Sequence, residues 1–245
     1  MSNFLSGALD SVRRGALDAA RRALPQRCEL CAAASGAALI CRGCHSSLPR
    51  LGPACPVCAL PTANGEVCGH CLVDPPPFVA TVAAFAYAFP VDRLLHAFKY
   101  HGRLALAEWG AGAILDERER HRGAHPPDRL VALPLAAERQ RERGYNQAFE
   151  IARAIGERLR VPLVRKGMHR VRASPPQVTL PWSERAQNVR GAFACELDLA
   201  GMSVAVVDDV MTTGASLAEF ARTLRRAGAT RVENWVVART LPPTD

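Results

Sequence analysis

Four Cys-x-x-Cys pairs near the start of the chain constrain its fold more than any other feature. The pairs are Cys28/Cys31, Cys41/Cys44, Cys55/Cys58 and Cys68/Cys71. Nine residues separate the first pair from the second, and nine separate the third from the fourth, so the segment is an internal repeat. The short gap within a pair lets both thiolates reach one Zn2+, and a second pair completes a tetrahedral site. The repeat predicts two structural zinc sites in a region that needs the metal to fold.

The pairing order and the chemistry of these cysteines have alternatives. The repeat favours two sequential sites, although the spacing also allows a crossed arrangement in which Cys28/Cys31 joins Cys55/Cys58. Disulfides are less consistent with the chain, because its N-terminal segment lacks the compact apolar run of a signal peptide. We therefore expect a cytoplasmic protein. No stretch has the roughly 18 uninterrupted apolar residues of a membrane span, so we expect no stable membrane insertion.

The N-terminal 25 residues have apolar positions at helical spacing, with arginines interspersed. This pattern predicts an amphipathic helix over residues 1–25. Such a helix docks on its own protein or, alternatively, on a membrane surface or a partner.

Positive charge is concentrated in one part of the chain. The formal net charge is +8, and residues 129–190 contain 13 Arg or Lys against 5 Glu, which accounts for the whole excess. A segment of this kind favours an anionic partner, either a phosphate compound or a nucleic acid, although a solvated basic surface is the simpler alternative.

After a proline-rich linker at 74–78, apolar strand patterns alternate with helical ones. Strands that alternate with helices predict a parallel sheet covered on both faces. We therefore expect an α/β domain over residues 78–245, preceded by a double zinc-ribbon region over residues 26–74. Ligands of such sheets bind at the carboxyl ends of the strands.

The segment VAVVDDVMTTGAS, from Val204 to Ser216, places two acids at the end of the most apolar strand. A loop with hydroxyl side chains and a glycine follows, and then a helical pattern begins. Helix N-termini and hydroxyls bind phosphate, while paired carboxylates accept hydrogen bonds from sugar hydroxyls. The absence of a lysine after the glycine excludes a nucleoside-triphosphate P-loop. The segment therefore predicts a sugar-phosphate site.

This segment resembles the phosphoribosyl-pyrophosphate (PRPP) loop of type I phosphoribosyltransferases. The motifs HAFKYHG, LPL…RERGYNQA and SPPQ…ERAQNVRGAF, together with the cysteine pairs, occur in the order that is typical of the ComF family. The resemblance covers about Cys28 to Arg239. It implies a type I phosphoribosyltransferase-like parallel sheet flanked by helices, behind a small double zinc-ribbon region.

The resemblance also assigns roles to matching positions. Asp208 and Asp209 are implied to be catalytic and to meet the ribose hydroxyls of PRPP. The 5′-phosphate is implied to bind Thr212, Thr213, Gly214, Ala215 and Ser216. Candidates for the pyrophosphate end are Lys99 and Arg143, with Tyr100 beside them. Further candidates for diphosphate contacts, in or near a mobile loop, are Arg170, Arg172, Arg185 and Arg190.

The expected function is that of a PRPP-binding phosphoribosyltransferase with an unknown acceptor, using Mg2+ with PRPP in addition to two structural Zn2+ ions. PRPP or ribose 5-phosphate is the expected small-molecule partner. The resemblance implies a link to natural competence and to the handling of transforming DNA, with single-stranded DNA or DNA-uptake proteins as partners. The alternatives are a catalytically inactive PRPP sensor and a single-stranded DNA-binding accessory protein.

Overall fold

The computed structural model describes residues 26–120, 125–171 and 189–242. The chain divides into two compact units, Met1–Leu48 and Pro49–Asp245. The predicted amphipathic helix over residues 1–25 lies outside the described residues. The second group of four cysteines belongs to the larger unit, while the expected division at residues 74–78 stays a prediction.

The smaller unit contains little regular structure, because most of its described residues lie in turns around metal-ligand candidates. Its elements are β1 (Gln26–Arg27), β2 (Ala34–Gly36) and α1 (Arg42–Ser46). Strands β1 and β2 pair antiparallel, with Cys28 and Cys31 in the connection between them. Apart from Cys28, only Ile40 and Leu48 are buried apolar residues among those described in this unit. So small a core agrees with a fold that depends on a bound metal.

In the larger unit, strands and helices alternate as the sequence predicts. The strands are β3 (Ala80–Ala86), β4 (Arg129–Ala132), β5 (Leu163–Val164), β6 (Met168–Arg170), β7 (Phe193–Cys195), β8 (Ser203–Met211) and β9 (Arg231–Arg239). The helices are α2 (Gly69–Val73), α3 (Val91–Tyr100), α4 (Ala105–Arg120), α5 (Ala137–Arg143), α6 (Gln147–Leu159) and α7 (Ala215–Arg226).

Five of the strands form one parallel sheet in the order β3–β9–β8–β4–β5. The central strands β8 and β9 are buried along most of their length, because helices cover both faces of the sheet. This explains their long apolar runs, which differ from the alternating pattern of a half-exposed strand. The predicted α/β class is confirmed.

Helix α7 covers one face of the sheet, where Leu217 and Phe220 belong to the same apolar core as Val206 and Val236. Helices α4 and α6 pack together and cover the other face. Gly110 on α4 permits this close approach, since a Cβ there would lie 2.9 Å from Cγ2 of Val237 on the sheet. No helix in the described part of the chain is long and apolar enough to cross a membrane.

Candidate functional site

A cleft of about 260 Å³ lies at the carboxyl ends of the central strands, where the sequence predicts a ligand. Parallel strands end at the same edge, so side chains that are distant in sequence meet there. The predicted residues that line this cleft are Lys99, Arg143, Arg170, Asp208, Asp209, Thr212, Gly214 and Ser216. Thr213 and Ala215 belong to the same loop without lining the cleft.

The two aspartates at the end of β8 differ in their partners. Asp209 is buried and forms an ion pair with Lys99 of α3, with 3.0 Å between Nζ and Oδ2. Oδ1 of Asp208 accepts a hydrogen bond from the backbone N–H of Asp209 at 2.8 Å. Lys99 therefore neutralises one of the two neighbouring acids, which reduces their mutual repulsion.

The other acid, Asp208, keeps its proton to a higher pH than an ordinary aspartate does. Burial, together with the negative charge of Asp209, raises the pKa of Asp208 to about 8. For Lys99, burial alone would lower the pKa, but the charge of Asp209 outweighs it and raises the pKa. Near neutral pH, Asp208 is therefore largely protonated and Lys99 is charged. Arrival of a cation beside this pair would favour the ionised form of Asp208.

The loop between β8 and α7 provides a cradle for an anion. Gly214 precedes α7 with a φ of 83°, a left-handed conformation that glycine adopts readily. The backbone N–H of Ala215 donates to Oγ1 of Thr213 at 3.3 Å. The first turn of α7 contains no acidic residue, so the partial positive charge of this helix end is not neutralised locally. An anionic group such as a phosphate suits this position.

Arg143 lines the cleft at the end of α5 and is held by two neighbours. Its guanidinium donates to Oε1 of Gln147 at 3.0 Å and to the hydroxyl of Tyr100 at 3.3 Å. The guanidinium carbon also lies 5.1 Å from the centre of the Tyr100 ring. The Nε of Arg143 is buried without a hydrogen-bond partner among the described residues. Arg143 lines the cleft, so its guanidinium group can contact an anionic ligand there.

Asn146 fixes the segment between β4 and α6, which includes α5 and Arg143. Its Oδ1 accepts hydrogen bonds from the backbone N–H groups of Ala148 and Phe149, which caps the start of α6. Its Nδ2 donates to the carbonyl of Leu133, just after β4. The side chain of Asn146 thereby joins the end of β4 to the start of α6. The sequence alone did not indicate this role.

The remaining arginine candidates differ in whether they line the cleft. Arg170 lines the cleft, and burial together with the charge of Arg139 lowers its pKa. Arg190 is exposed and does not line the cleft. Arg172 and Arg185 lie outside the described residues. β6 and β7 pair antiparallel on either side of the undescribed segment 172–188.

Sequence reasoning also missed Tyr87 and Arg239. Tyr87 directly follows β3 and lines the cleft. Arg239 ends β9 and donates to the carbonyls of Met211 and Thr212 beside the cradle. Both are polar residues at the carboxyl end of a buried strand. This position, which identified Asp208 as a candidate, could also have identified Tyr87 and Arg239.

The eight paired cysteines form two groups, each of which is compact enough for one metal ion. We call Cys28, Cys31, Cys41 and Cys44 the first cluster. We call Cys55, Cys58, Cys68 and Cys71 the second cluster. Within each cluster the four sulfur atoms lie within 4.8 Å of one another. All eight are free cysteines.

The sulfur spacing fits zinc. The Sγ atoms of Cys31 and Cys41 are 3.8 Å apart, and those of Cys58 and Cys68 are 3.7 Å apart. A tetrahedral site with Zn–S bonds of about 2.3 Å places its sulfurs about 3.8 Å apart. Backbone N–H groups also donate to sulfur, as from Cys41 to Sγ of Cys28 at 3.3 Å, which stabilises the thiolate form. The geometry therefore fits two zinc ions with sequential pairing.

Comparisons with known proteins agree with both parts of the chain. Residues 19–72 match the double zinc ribbon domain family, and residues 143–242 match the phosphoribosyl transferase domain family. The "DNA utilization protein YhgH" of Salmonella typhimurium is 35% identical over 206 residues, which cover 82% of this chain and 91% of that protein.

Two further relatives bear competence names. "Competence protein F" of Haemophilus influenzae is 29% identical, with 82% of this chain and 90% of that protein covered. "Competence protein ComFC" of Bacillus subtilis is 27% identical, with 82% and 84% covered. The chain belongs to the ComF family. In this ComF protein, the cysteine clusters are zinc-ribbon sites, and the cleft lies in a phosphoribosyltransferase-like domain.

Proposed function

We propose that this ComF protein binds PRPP together with Mg2+ and transfers its phosphoribosyl group to an acceptor. The observation that carries the proposal is the arrangement around one cleft of an acid pair, an anion cradle and a cationic side chain. The acid pair is Asp208 and Asp209, the cradle is the loop before α7, and the cation is Arg143. These three parts match the ribose, the 5′-phosphate and the diphosphate of PRPP.

Each part has a defined task in the reaction. The backbone N–H groups and hydroxyls between Thr212 and Ser216 bind the 5′-phosphate, while Asp208 and Asp209 accept hydrogen bonds from the ribose hydroxyls. The bond between ribose C1 and the diphosphate breaks, and a bond from C1 to the acceptor nucleophile forms. Negative charge grows on the departing diphosphate, and Arg143 and Lys99 stabilise it. Where the acceptor nucleophile carries a proton, that proton passes to the released pyrophosphate or to water.

A magnesium ion fits the same cleft. Carboxylate oxygens are the protein ligands that Mg2+ prefers, and Asp208 lines the cleft without a cationic ion-pair partner among the described residues. When bound with PRPP, Mg2+ supplies charge neutralisation for the diphosphate. Asp208 and Asp209 bind the ribose of PRPP. In the free protein, Lys99 neutralises the charge of Asp209.

Calorimetry with Mg2+ and PRPP tests the binding site. We expect Asp208→Ala with Asp209→Ala to weaken binding by about 2–5 kcal/mol, because several charge-assisted hydrogen bonds are lost. A matched control is Asp198→Ala, since Asp198 is an acid of the same unit that does not line the cleft. Equal affinities of the wild-type protein and the double variant would exclude this site.

Release of pyrophosphate tests transfer as distinct from binding. The protein is incubated with PRPP and Mg2+ and a panel of nucleobases, amines and nucleic acids, and pyrophosphate is measured. Acceptor-dependent release that is lost in the Asp208/Asp209 double variant would support a transferase. Tight PRPP binding without release with any acceptor would favour the alternative of a catalytically inactive sensor.

A second candidate function is the handling of single-stranded DNA in natural competence. The names of the relatives refer to competence and to DNA utilization. An adjoining cavity of about 570 Å³ shares Arg170 with the PRPP cleft and is also lined by Arg165, Lys166 and Phe149. The guanidinium of Arg165 lies 5.9 Å from the centre of the Phe149 ring. A cationic surface with an aromatic ring is typical of single-strand binding, where bases stack and phosphates are neutralised.

Fluorescence anisotropy with a labelled oligonucleotide tests this second function. We expect affinity to fall steeply between about 50 and 200 mM salt, because neutralised phosphates release counterions. Arg165→Glu with Lys166→Glu should flatten this dependence. PRPP binding serves as the control, because neither residue lines the PRPP cleft. Absence of oligonucleotide binding at low salt by the zinc-loaded protein would leave DNA handling to a partner protein.

A further inference from the structure

Arg239 is a buried cation whose partners are all backbone carbonyls. It is 1% exposed and lies at the carboxyl end of β9. Its Nε donates to the carbonyl of Cys58 at 2.8 Å. One terminal nitrogen donates to the carbonyls of Met211 at 3.1 Å, Thr240 at 2.9 Å and Thr212. No carboxylate in the described ranges forms an ion pair with it.

A buried arginine without an acidic partner needs another source of negative charge, since an isolated buried cation is costly. The second cluster provides one. Its zinc form, one Zn2+ with four thiolates, carries a net charge of −2. Arg239 binds the backbone of Cys58, which is itself a ligand of that cluster. With zinc bound, this cluster would supply the counter-charge that the arginine lacks.

The second cluster is firmly attached to the sheet around Arg239. The backbone N–H of Thr81 on β3 donates to the carbonyl of Pro56 at 2.9 Å, and its hydroxyl donates to the carbonyl of Val57 at 2.6 Å. With the bond from Arg239 to Cys58, three consecutive carbonyls of the Cys-x-x-Cys turn are bound by the sheet. Movement of this turn would therefore be transmitted to β3 and β9.

The other end of Arg239 reaches the start of the anion cradle. The carbonyls that it binds belong to Met211 and Thr212, which directly precede Thr213 and Gly214. Met211 is buried beneath the cradle, where a Cβ on Gly214 would lie 2.6 Å from its Cε. Arg239 thus fixes the position at which the chain leaves β8 and enters the cradle.

We infer that Arg239 is a positioning residue through which the second zinc cluster holds the phosphate-binding loop in place. The ligand of this loop rests on the function proposed above, but the coupling between zinc and loop does not depend on it. Coupling of this kind is reciprocal. Zinc in the second cluster orders the loop, and an anion in the loop slows the loss of that zinc. The first cluster lies in the other compact unit, provides no partner of Arg239, and serves as the internal control.

Hydrogen exchange measures the coupling directly. The full-length chain with Cys28, Cys31, Cys41 and Cys44 replaced by serine keeps only the second cluster. Zinc is removed from this chain with a chelator, and amide exchange is followed in peptides covering residues 210–217. We expect exchange there to accelerate at least tenfold, while α6 stays protected. Unchanged loop exchange after loss of the zinc would overturn the inference, as would equal acceleration in α6, which indicates global unfolding.

Substitution of Arg239 tests the same link from the arginine side. Arg239→Met keeps an unbranched apolar side chain but lacks the guanidinium group and therefore every donor. Arg239→Lys keeps the charge without the planar fork that binds two segments. We expect Arg239→Met to release zinc from the second cluster to a chromogenic chelator about tenfold faster, because charge-assisted bonds are lost. Affinity for PRPP with Mg2+ should also fall at least tenfold. Arg239→Lys should restore only part of either effect.

The outcomes separate this inference from the proposed function. Wild-type zinc release and wild-type loop exchange in Arg239→Met would overturn the inference. If the wild-type protein does not bind PRPP, the proposed function fails, and the exchange and zinc-release measurements still decide the coupling. If Arg239→Met does not fold, Arg239→Lys and the chelation experiment on the chain with Arg239 intact decide it.

Discussion

Asp208 illustrates how one side chain can make folding depend on pH. Its pKa is about 8 in the folded protein, against 3.8 for an ordinary aspartate. Between these values the folded chain keeps a proton that the unfolded chain releases. The stability that this proton gives is fully present below about pH 4 and is lost as the pH rises to about 8.

We therefore predict that Asp208→Asn removes a pH-dependent loss of stability. Where the proton difference is largest, the wild-type protein should lose up to about 1.4 kcal/mol per pH unit relative to the variant. Urea unfolding followed by circular dichroism at several pH values between 5 and 8.5 measures this difference. Comparison with the variant cancels the pH effects of the zinc thiolates, which both proteins share. Parallel pH profiles of the unfolding free energy in the two proteins would contradict a raised pKa of Asp208.

The ion pair of Lys99 and Asp209 gives a second prediction for single residues. Both side chains are largely buried, with 20% and 10% of their surfaces exposed. Lys99→Met should destabilise the fold by about 3 kcal/mol, because the carboxylate of Asp209 is left buried without its partner. Adding Asp209→Asn should recover part of this loss. Additive effects of the two substitutions in denaturant unfolding would indicate that the pair contributes no coupling energy.

At the scale of elements, the cradle depends on the backbone conformation at its glycine. Gly214→Ala should cost about 1–2 kcal/mol in stability, because φ at this position is 83°. It should also abolish measurable PRPP binding, since the new methyl group displaces Met211 beneath the loop. Gly201→Ala is the matched control: its φ is 77° and no atom lies within 4 Å of the new Cβ. From calorimetry we expect both variants to lose stability, with the larger loss in Gly214→Ala, and PRPP binding to be retained only in Gly201→Ala.

The elements also show what the sequence could predict. The cradle is contiguous in sequence, from the strand through the acids to the helix start. The segment Val204–Ser216 was therefore enough to predict a loop of the anion-binding type. The parallel sheet followed from the alternation of strands and helices. The contact of Arg143 with Tyr100 and that of Arg239 with Cys58 join residues that are 43 and 181 positions apart. Such contacts depend on strand order and helix packing, which local patterns do not specify.

At the scale of the whole molecule, the two clusters fall in different compact units although they form one sequence repeat. The first lies in residues 1–48, whose described part has a small apolar core, and the second is hydrogen-bonded to the five-stranded sheet. We therefore expect the two zinc ions to support different parts of the protein. Loss of the first should unfold its own unit, and loss of the second should disturb the anion cradle.

Zinc counting in cysteine variants tests this division and the pairing order together. Elemental analysis should find two zinc ions in each wild-type chain. The chain with all four cysteines of the first cluster replaced by serine should keep one, because the second cluster has a complete set of ligands. Crossed pairing would instead leave both sites with two ligands each, and this variant would then contain no tightly bound zinc. The reciprocal variant, lacking the second cluster, should also keep one zinc ion, but its circular dichroism should report a larger loss of structure, since the second cluster is bonded to β3 and β9.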